Sequence, residues 1–147
     1  MKKIFIDTNI ALDLLFERPK FFNLAKTVFV VANKERISLC LSALSFGIVT
    51  YFLERNFTKE QTKYKLKEFA KIVKILPFNQ RIIENALYSS FKDIEDGYQY
   101  FTAKEYGIPI VVTRNVKDFV VDDISVLPPN SFFQCTEQIK YCLIIKL

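Results

Sequence analysis

Lys3-Ile4-Phe5-Ile6-Asp7-Thr8-Asn9 is the stretch on which the reading of the fold turns. A short apolar run of β-forming type, with no polar alternation, reads as a strand buried on both faces. It ends at Asp7, and apolar residues at helical spacing follow from Asn9 to Phe16: Ile10 with Leu14, and Leu12 with Leu15 and Phe16. A strand that runs into a helix through an aspartate is the opening of a βα unit.

Outward from that unit the same alternation continues. Pro19 is expected to open a second helix to about Asn33, with Phe22, Ala25, Phe29 and Ala32 on one face. Ile37 to Leu41 reads as a second buried strand, and Ser42 precedes a third helix from Ala43 to Arg55. Thr58 with Gln61 three residues later forms a capping box for a charged fourth helix to about Ile72. Val73 to Leu76 is a third strand, followed by a helix from Asn79 to Ser89 and another from about Ile94 to Tyr106, where Gly107 stops it. Ile110-Val111-Val112 is a fourth strand, and Ile124-Ser125-Val126 a short fifth. Alternating strands and helices predict an α/β fold with a parallel sheet of five strands and helices on both faces. The domain is placed at 1–133, with 134–147 a tail whose Tyr141 to Ile145 segment reads equally as a strand or a helix end.

Composition narrows the chemistry. The chain has 147 residues, half of them hydrophobic and 15 of them Phe, enough to build one buried core. No apolar run approaches the roughly 18 residues of a membrane span. Asp7 arrives too soon after the basic N-terminus for a signal peptide, so a cytoplasmic protein is expected. Cys40, Cys135 and Cys142 form no CxxC pair, which argues against a zinc site or disulfide framework. Histidine is absent, which removes the Ser-His-Asp triad and every His-based metal site. The net charge of +5 suits a polyanionic partner.

Functional groups on open parallel sheets gather beyond the carboxyl ends of the strands. Asp7 stands there after strand one, Asp118 in the loop after strand four, and Asp96 near the start of the helix that feeds strand four. If those strands are neighbours, the three acids converge on one edge. Crowded carboxylates raise one another's pKa unless a cation neutralises them. The natural occupant is a hard, oxygen-preferring ion such as Mg²⁺ or Mn²⁺, which can drive phosphoryl chemistry without histidine.

Taken in order, Phe5-Ile6-Asp7-Thr8-Asn9 with Asp13, Leu41-Ser42-Ala43-Leu44, Asp93-Ile94-Glu95-Asp96, Val112-Thr113-Arg114-Asn115 and Lys117-Asp118-Phe119 resemble the motifs of the PIN domain, its VapC-like branch most closely. The resemblance spans roughly residues 3 to 133. It implies a PIN-like three-layer fold, often dimeric, and a metal-dependent endoribonuclease acting on single-stranded RNA. Many such proteins are toxins held inactive by a small antitoxin. Carried over residue by residue, it assigns Asp7, Asp96 and Asp118 as catalytic. Asp7 and Asp96 would be metal ligands with Asp93 beside them, and Asn9, Thr113 and Asn115 supporting polar groups. Arg114 and Lys117 are candidates to face RNA phosphates. The sequence departs from the family at one place. The family's glutamate on the third helix aligns with Ile48, beside Gly47, and no acid occurs from Ile37 to Leu53. Asp93 or Glu95 could compensate, since Asp93 is three residues before Asp96.

Each signal has a plainer reading beside it. Asp7 could cap a helix, Asp96 could answer a helix dipole, and Asp118 could be an ordinary loop acid. Asp13 is expected to be solvated or to sit behind the ligands. Six lysines between Lys59 and Lys74, interleaved with Glu60 and Glu68, read as a solvated helix face. Tyr98, Tyr100 and Tyr106 are expected to be buried or half-buried rather than stacked on bases. Besides the nuclease, the missing acid motivates a degenerate, non-catalytic RNA- or protein-binding module. A phosphotransfer enzyme with Asp7 as nucleophile is a third reading, weakened by Asn9 standing where a second acid is usual.

Overall fold

Five strands, β1 (Lys3–Ile6), β2 (Ser38–Ser42), β3 (Lys74–Leu76), β4 (Ile110–Val112) and β5 (Ser125–Leu127), form a single parallel sheet in the order β3-β2-β1-β4-β5. The structure is a computed structural model and describes residues 2–134. The expected five-stranded parallel α/β sheet is what the chain forms, with strand limits within a residue or so of those read from the sequence.

The pleat explains why the strands read as unbroken apolar runs. Ile4 and Ile6 of β1, Leu39 and Leu41 of β2 and Val112 of β4 point to one face, where they pack with Ile10, Val28, Leu53, Phe69 and Phe132. Phe5, Cys40 and Val111 point to the other, among Leu76, Tyr100, Ala103, Ile108 and Phe119. Both faces are covered by helices, so the inner positions of the central strands are apolar, and the polar residues Lys3, Ser38, Ser42, Lys74 and Ser125 fall at strand ends. α1 (Thr8–Leu15), α2 (Phe22–Lys34), α3 (Ala43–Asn56) and α4 (Lys59–Ile72) supply the first layer; α6 (Ile94–Glu105) lies on the second, with α5 (Gln80–Leu87) against it. Each fully buried Ile or Phe contributes roughly 1.5–3 kcal/mol relative to exposure.

Local signals fix most boundaries. Thr58 and Gln61 complete the capping box reciprocally, at 3.2 and 3.1 Å. Gly107 ends α6 at φ +62°, a conformation that favours glycine. Gly97 serves a different need: a Cβ there would stand 3.3 Å from Ala86 Cβ, so its absence lets α6 press against α5. One boundary differs from the expectation. Pro19 does not open α2, which begins three residues later at Phe22. Its cap residue Phe21 offers no side-chain hydrogen bond, and residues 16–21 instead form a turn pinned by Arg18.

Among the described residues no helix is long and apolar enough to cross a membrane. A helical segment at 129–134, not anticipated in the sequence, places Phe132 in the first core. The open reading of Tyr141 to Ile145, and with it nearly all of the 134–147 tail, lies outside the described residues.

Candidate active site

β1 lies between β2 and β4, so the chain leaves it in one direction and returns on the other side. Such a reversal opens a crevice at the carboxyl ends of the two strands. Ile6 pairs with Val112 in register, which sets Asp7 beside Thr113. The contacts follow. Asp7 Oδ2 accepts hydrogen bonds from Thr113 Oγ1 at 2.7 Å and from Asn9 Nδ2 at 3.1 Å, while Oδ1 accepts from the Thr8 backbone N–H at 2.7 Å. Asp7 is therefore also the N-cap of α1, and the plainer reading holds together with the site geometry. Burial pushes its carboxyl above the usual range. The Thr113 and Thr8 hydrogen bonds oppose that rise, nearby Glu95 adds to it, and Arg114 opposes it.

Asp96 stands in the first turn of α6, half-buried. Its carboxyl is pushed up to about 7, first by burial and then by the charges of Asp7, Asp93, Asp118 and Glu95. Four acids thus act on a fifth at one edge of the sheet. Asp96, Asp93 and Asp118 line a cleft of about 510 Å³ together with Ser90, Lys92 and Lys117. Asp118 reaches it from the 3-10 turn Val116–Asp118, which begins at Asn115. Asp93 was expected on one helix face with Asp96. It instead precedes the helix as its N-cap, with Oδ1 accepting the Glu95 N–H at 2.9 Å, though both still line the cleft.

The supporting residues divide. Asn9 and Thr113 hold Asp7 directly, and Asn9 Nδ2 also donates to Thr113 Oγ1 at 3.2 Å. Asn115 contributes its backbone, donating to Thr113 Oγ1 at 3.0 Å, while its side chain is exposed. Lys117 is exposed on the cleft wall. Arg114 is engaged elsewhere. It grips Asp13 with Nε–Oδ2 at 2.6 Å and Nη2–Oδ1 at 3.3 Å, and its guanidinium lies 3.8 Å from the Phe21 ring centroid. Asp13 is correspondingly 1% exposed and paired with Arg18 as well; of the two positions expected for it, it takes the one behind the site rather than the solvated one, anchoring the loop that carries Asn115 to Asp118.

Sequence reasoning passed over a second buried group. Thr8 Oγ1 donates to Ser45 Oγ at 2.8 Å, Ser45 Oγ donates to Gln99 Oε1 at 3.1 Å, and Gln99 Nε2 donates back to Thr8 Oγ1 at 3.2 Å. This closed ring joins α1, α3 and α6 beneath the acids. Its signals were present: Gln99 falls three residues after Asp96 and Ser45 three after Ser42, each on the inner side of its helix. The tyrosines behave as structural groups: Tyr100 donates to Asp123 at 2.7 Å, Tyr106 to the Pro77 carbonyl at 2.9 Å, and Tyr98 packs edge-on against Phe78.

The donor set is all oxygen, which fits a hard divalent ion and no soft one. Mutual repulsion around Asp96 is what a bound cation would relieve. Among the described residues no three acidic side chains stand close enough to enclose an ion as placed. Mg²⁺ does not require such a cage, because it retains several waters and takes one or two carboxylates.

The chain is similar to known proteins in sequence and in fold. The PIN domain family matches residues 3–117. Ribonuclease VapC1 of Aquifex aeolicus (strain VF5) is 29% identical over 136 residues, covering 89% of this chain and 93% of that protein. Two solved structures share the fold. VapBC2 of Rickettsia felis, bound to promoter DNA, has a TM-score of 0.68 at 16% identity, over 86% of this chain and 98% of that one. A toxin–antitoxin complex from Klebsiella pneumoniae has a TM-score of 0.64 at 23% identity, over 86% and 97%.

Proposed function

Because the chain belongs to the PIN domain family, we propose that it is a metal-dependent endoribonuclease that cuts single-stranded RNA, the toxin of a toxin–antitoxin pair. The observation that carries this reading is the convergence of Asp93, Asp96 and Asp118 on one cleft, with Asp118 following β4 and Asp7 ending the neighbouring β1. Asp7, Asp96 and Asp93 would hold Mg²⁺ or Mn²⁺, with Asp118 on the same cleft as Asp93 and Asp96. A bound ion supplies Lewis acidity at the scissile phosphate and offsets the charge that develops there.

The chain's own residues do the rest. Thr113 and Asn9 fix the rotamer of Asp7 and keep its Oδ2 in place. A cation at this edge would favour the ionised form of Asp96, since it would offset the neighbouring negative charge. Lys117 and Lys92 on the cleft wall draw RNA phosphates toward the acids. Of the two basic residues expected to meet RNA, Lys117 takes that role, and Arg114 holds the loop through Asp13. The partner is a small antitoxin, supported by the likeness to complexes of that kind. A homodimer in the cytoplasm belongs to the same reading.

The test is cleavage of a mixed-sequence single-stranded RNA by purified protein with Mn²⁺, with Mg²⁺ and with EDTA, beside an identically purified Asp7→Asn protein. Cleavage that needs both metal and Asp7 supports the nuclease. RNA binding that survives EDTA, with no cleavage under any condition, favours the non-catalytic module instead.

A further inference from the structure

The third helix brings no acid to the site. Its buried residue there is Ser45, locked in the neutral ring with Thr8 and Gln99. That ring also orients α6. Gln99 is fully buried against α1 and α3, so the helix face that carries it points at their junction. Glu95 lies one turn earlier on the same face, four residues before Gln99. Its Oε1 stands 3.3 Å from Thr8 Oγ1, on the residue next to Asp7. Thr8 has a single hydroxyl proton and donates it over the shorter 2.8 Å distance to Ser45. The Glu95 carboxylate is left with its lone pairs largely unused, and its charge reaches both Asp7 and Asp96.

We propose that Glu95, whose exposed carboxylate stands beside Thr8 at the end of β1, is a direct ligand of the divalent ion and supplies the carboxylate that α3 lacks. Glu95 and Asp96 then flank Asp7 from adjacent positions of one helix. The ligand set is drawn from β1 and α6, and α3 contributes only a hydroxyl that keeps the two elements in register. This inference rests on the metal-site reading above.

The test is Mn²⁺ binding to the full chain, followed by the paramagnetic resonance signal of the free ion, for wild type, Asp7→Asn, Glu95→Gln and Glu105→Gln. Glutamine keeps the size and shape of the side chain, so Glu95→Gln removes a ligand charge with little change in packing. Glu105→Gln removes the same charge from the far end of α6. Glu95→Gln should weaken Mn²⁺ binding by at least about tenfold, with the melting temperature in EDTA unchanged, while Glu105→Gln stays within about twofold of wild type by screening at that distance. Equal affinity in Glu95→Gln and wild type, with binding lost in Asp7→Asn, overturns the role of Glu95 and leaves the metal site standing. Wild-type protein that binds no Mn²⁺, or binds it equally without Asp7, overturns both.

Discussion

Replacing Arg114 by methionine should unfold this protein far more readily than replacing its partner Asp13 by asparagine, although the two changes break the same pair. Asp13 is 1% exposed, and Arg114 and Arg18 are 25% and 40% exposed. In Asp13→Asn the stranded charges are guanidinium groups that already touch water, and the amide still accepts a hydrogen bond. In Arg114→Met the stranded charge is a carboxylate with almost no access to solvent, left with Arg18 alone at 3.3 Å. Removing one partner of a buried pair costs about 3–5 kcal/mol. Arg114→Met should fall in that range, and Asp13→Asn near the lower end of about 1–3 kcal/mol for a lost hydrogen-bond partner. With an unfolding entropy of roughly 2.1 cal/mol/K per residue, Arg114→Met lowers the melting temperature by roughly 10–16 °C. The double variant should cost less than the sum of the singles, with a coupling of about 0.5–3 kcal/mol. Urea or thermal unfolding of the four proteins measures this directly. A loss below about 1 kcal/mol for Arg114→Met would mean that the pair behaves as an exposed salt bridge, and the anchoring role assigned to Asp13 would be wrong.

Three further outcomes follow from the site and the core. In EDTA, stability should fall as the pH rises from about 4 to about 7, because Asp96 keeps its proton in the folded protein to about 7 and loses it near 3.8 when unfolded. Saturating Mn²⁺ should flatten that decline in a thermal-shift series, and a stability that instead climbs through this window contradicts the raised carboxyl. Thr113→Val removes the 2.7 Å hydrogen bond to Asp7 Oδ2 and should cost about 1–3 kcal/mol in urea unfolding. It should also slow RNA cleavage in step with weaker metal binding. Gly97→Leu drives a side chain into Ala86 and Phe91 and should cost about 1–3 kcal/mol by overpacking, while Gly97→Ala, whose Cβ meets Ala86 at 3.3 Å, loses far less in the same measurement.

The sheet was legible because central parallel strands buried on both faces favour short unbroken apolar runs. Ile4-Phe5-Ile6 and Ile110-Val111-Val112 state their burial outright. The capping box at Thr58 and the stop at Gly107 were legible because each needs only local chemistry. The start of α2 was not, because the turn before it is held by a side-chain contact, Arg18 to Asp13, that leaves no helix-start signal in the residues of α2 itself. The positions of Asp7, Asp96 and Asp118 could be inferred once β1 and β4 were taken as neighbours. The partners of Asp13 and Ser45 could not, because Arg114 and Gln99 lie 101 and 54 residues away and carry no periodic mark. Arg114 shows the limit plainly: a cation beside a cleft looks like a phosphate contact until its buried partner is known.

The pairing of β1 with β4 has a consequence for the order of events during synthesis. Asp7 is made well before its partner, because the hydroxyl that fixes its carboxylate belongs to Thr113, 106 positions later. Contacts of such long separation form late and close a large loop. A growing chain that has made α1 to α4 carries Asp7 and neither Asp96 nor Asp118. The carboxylates of the candidate site therefore share one edge only after β4 has been made and has paired with β1.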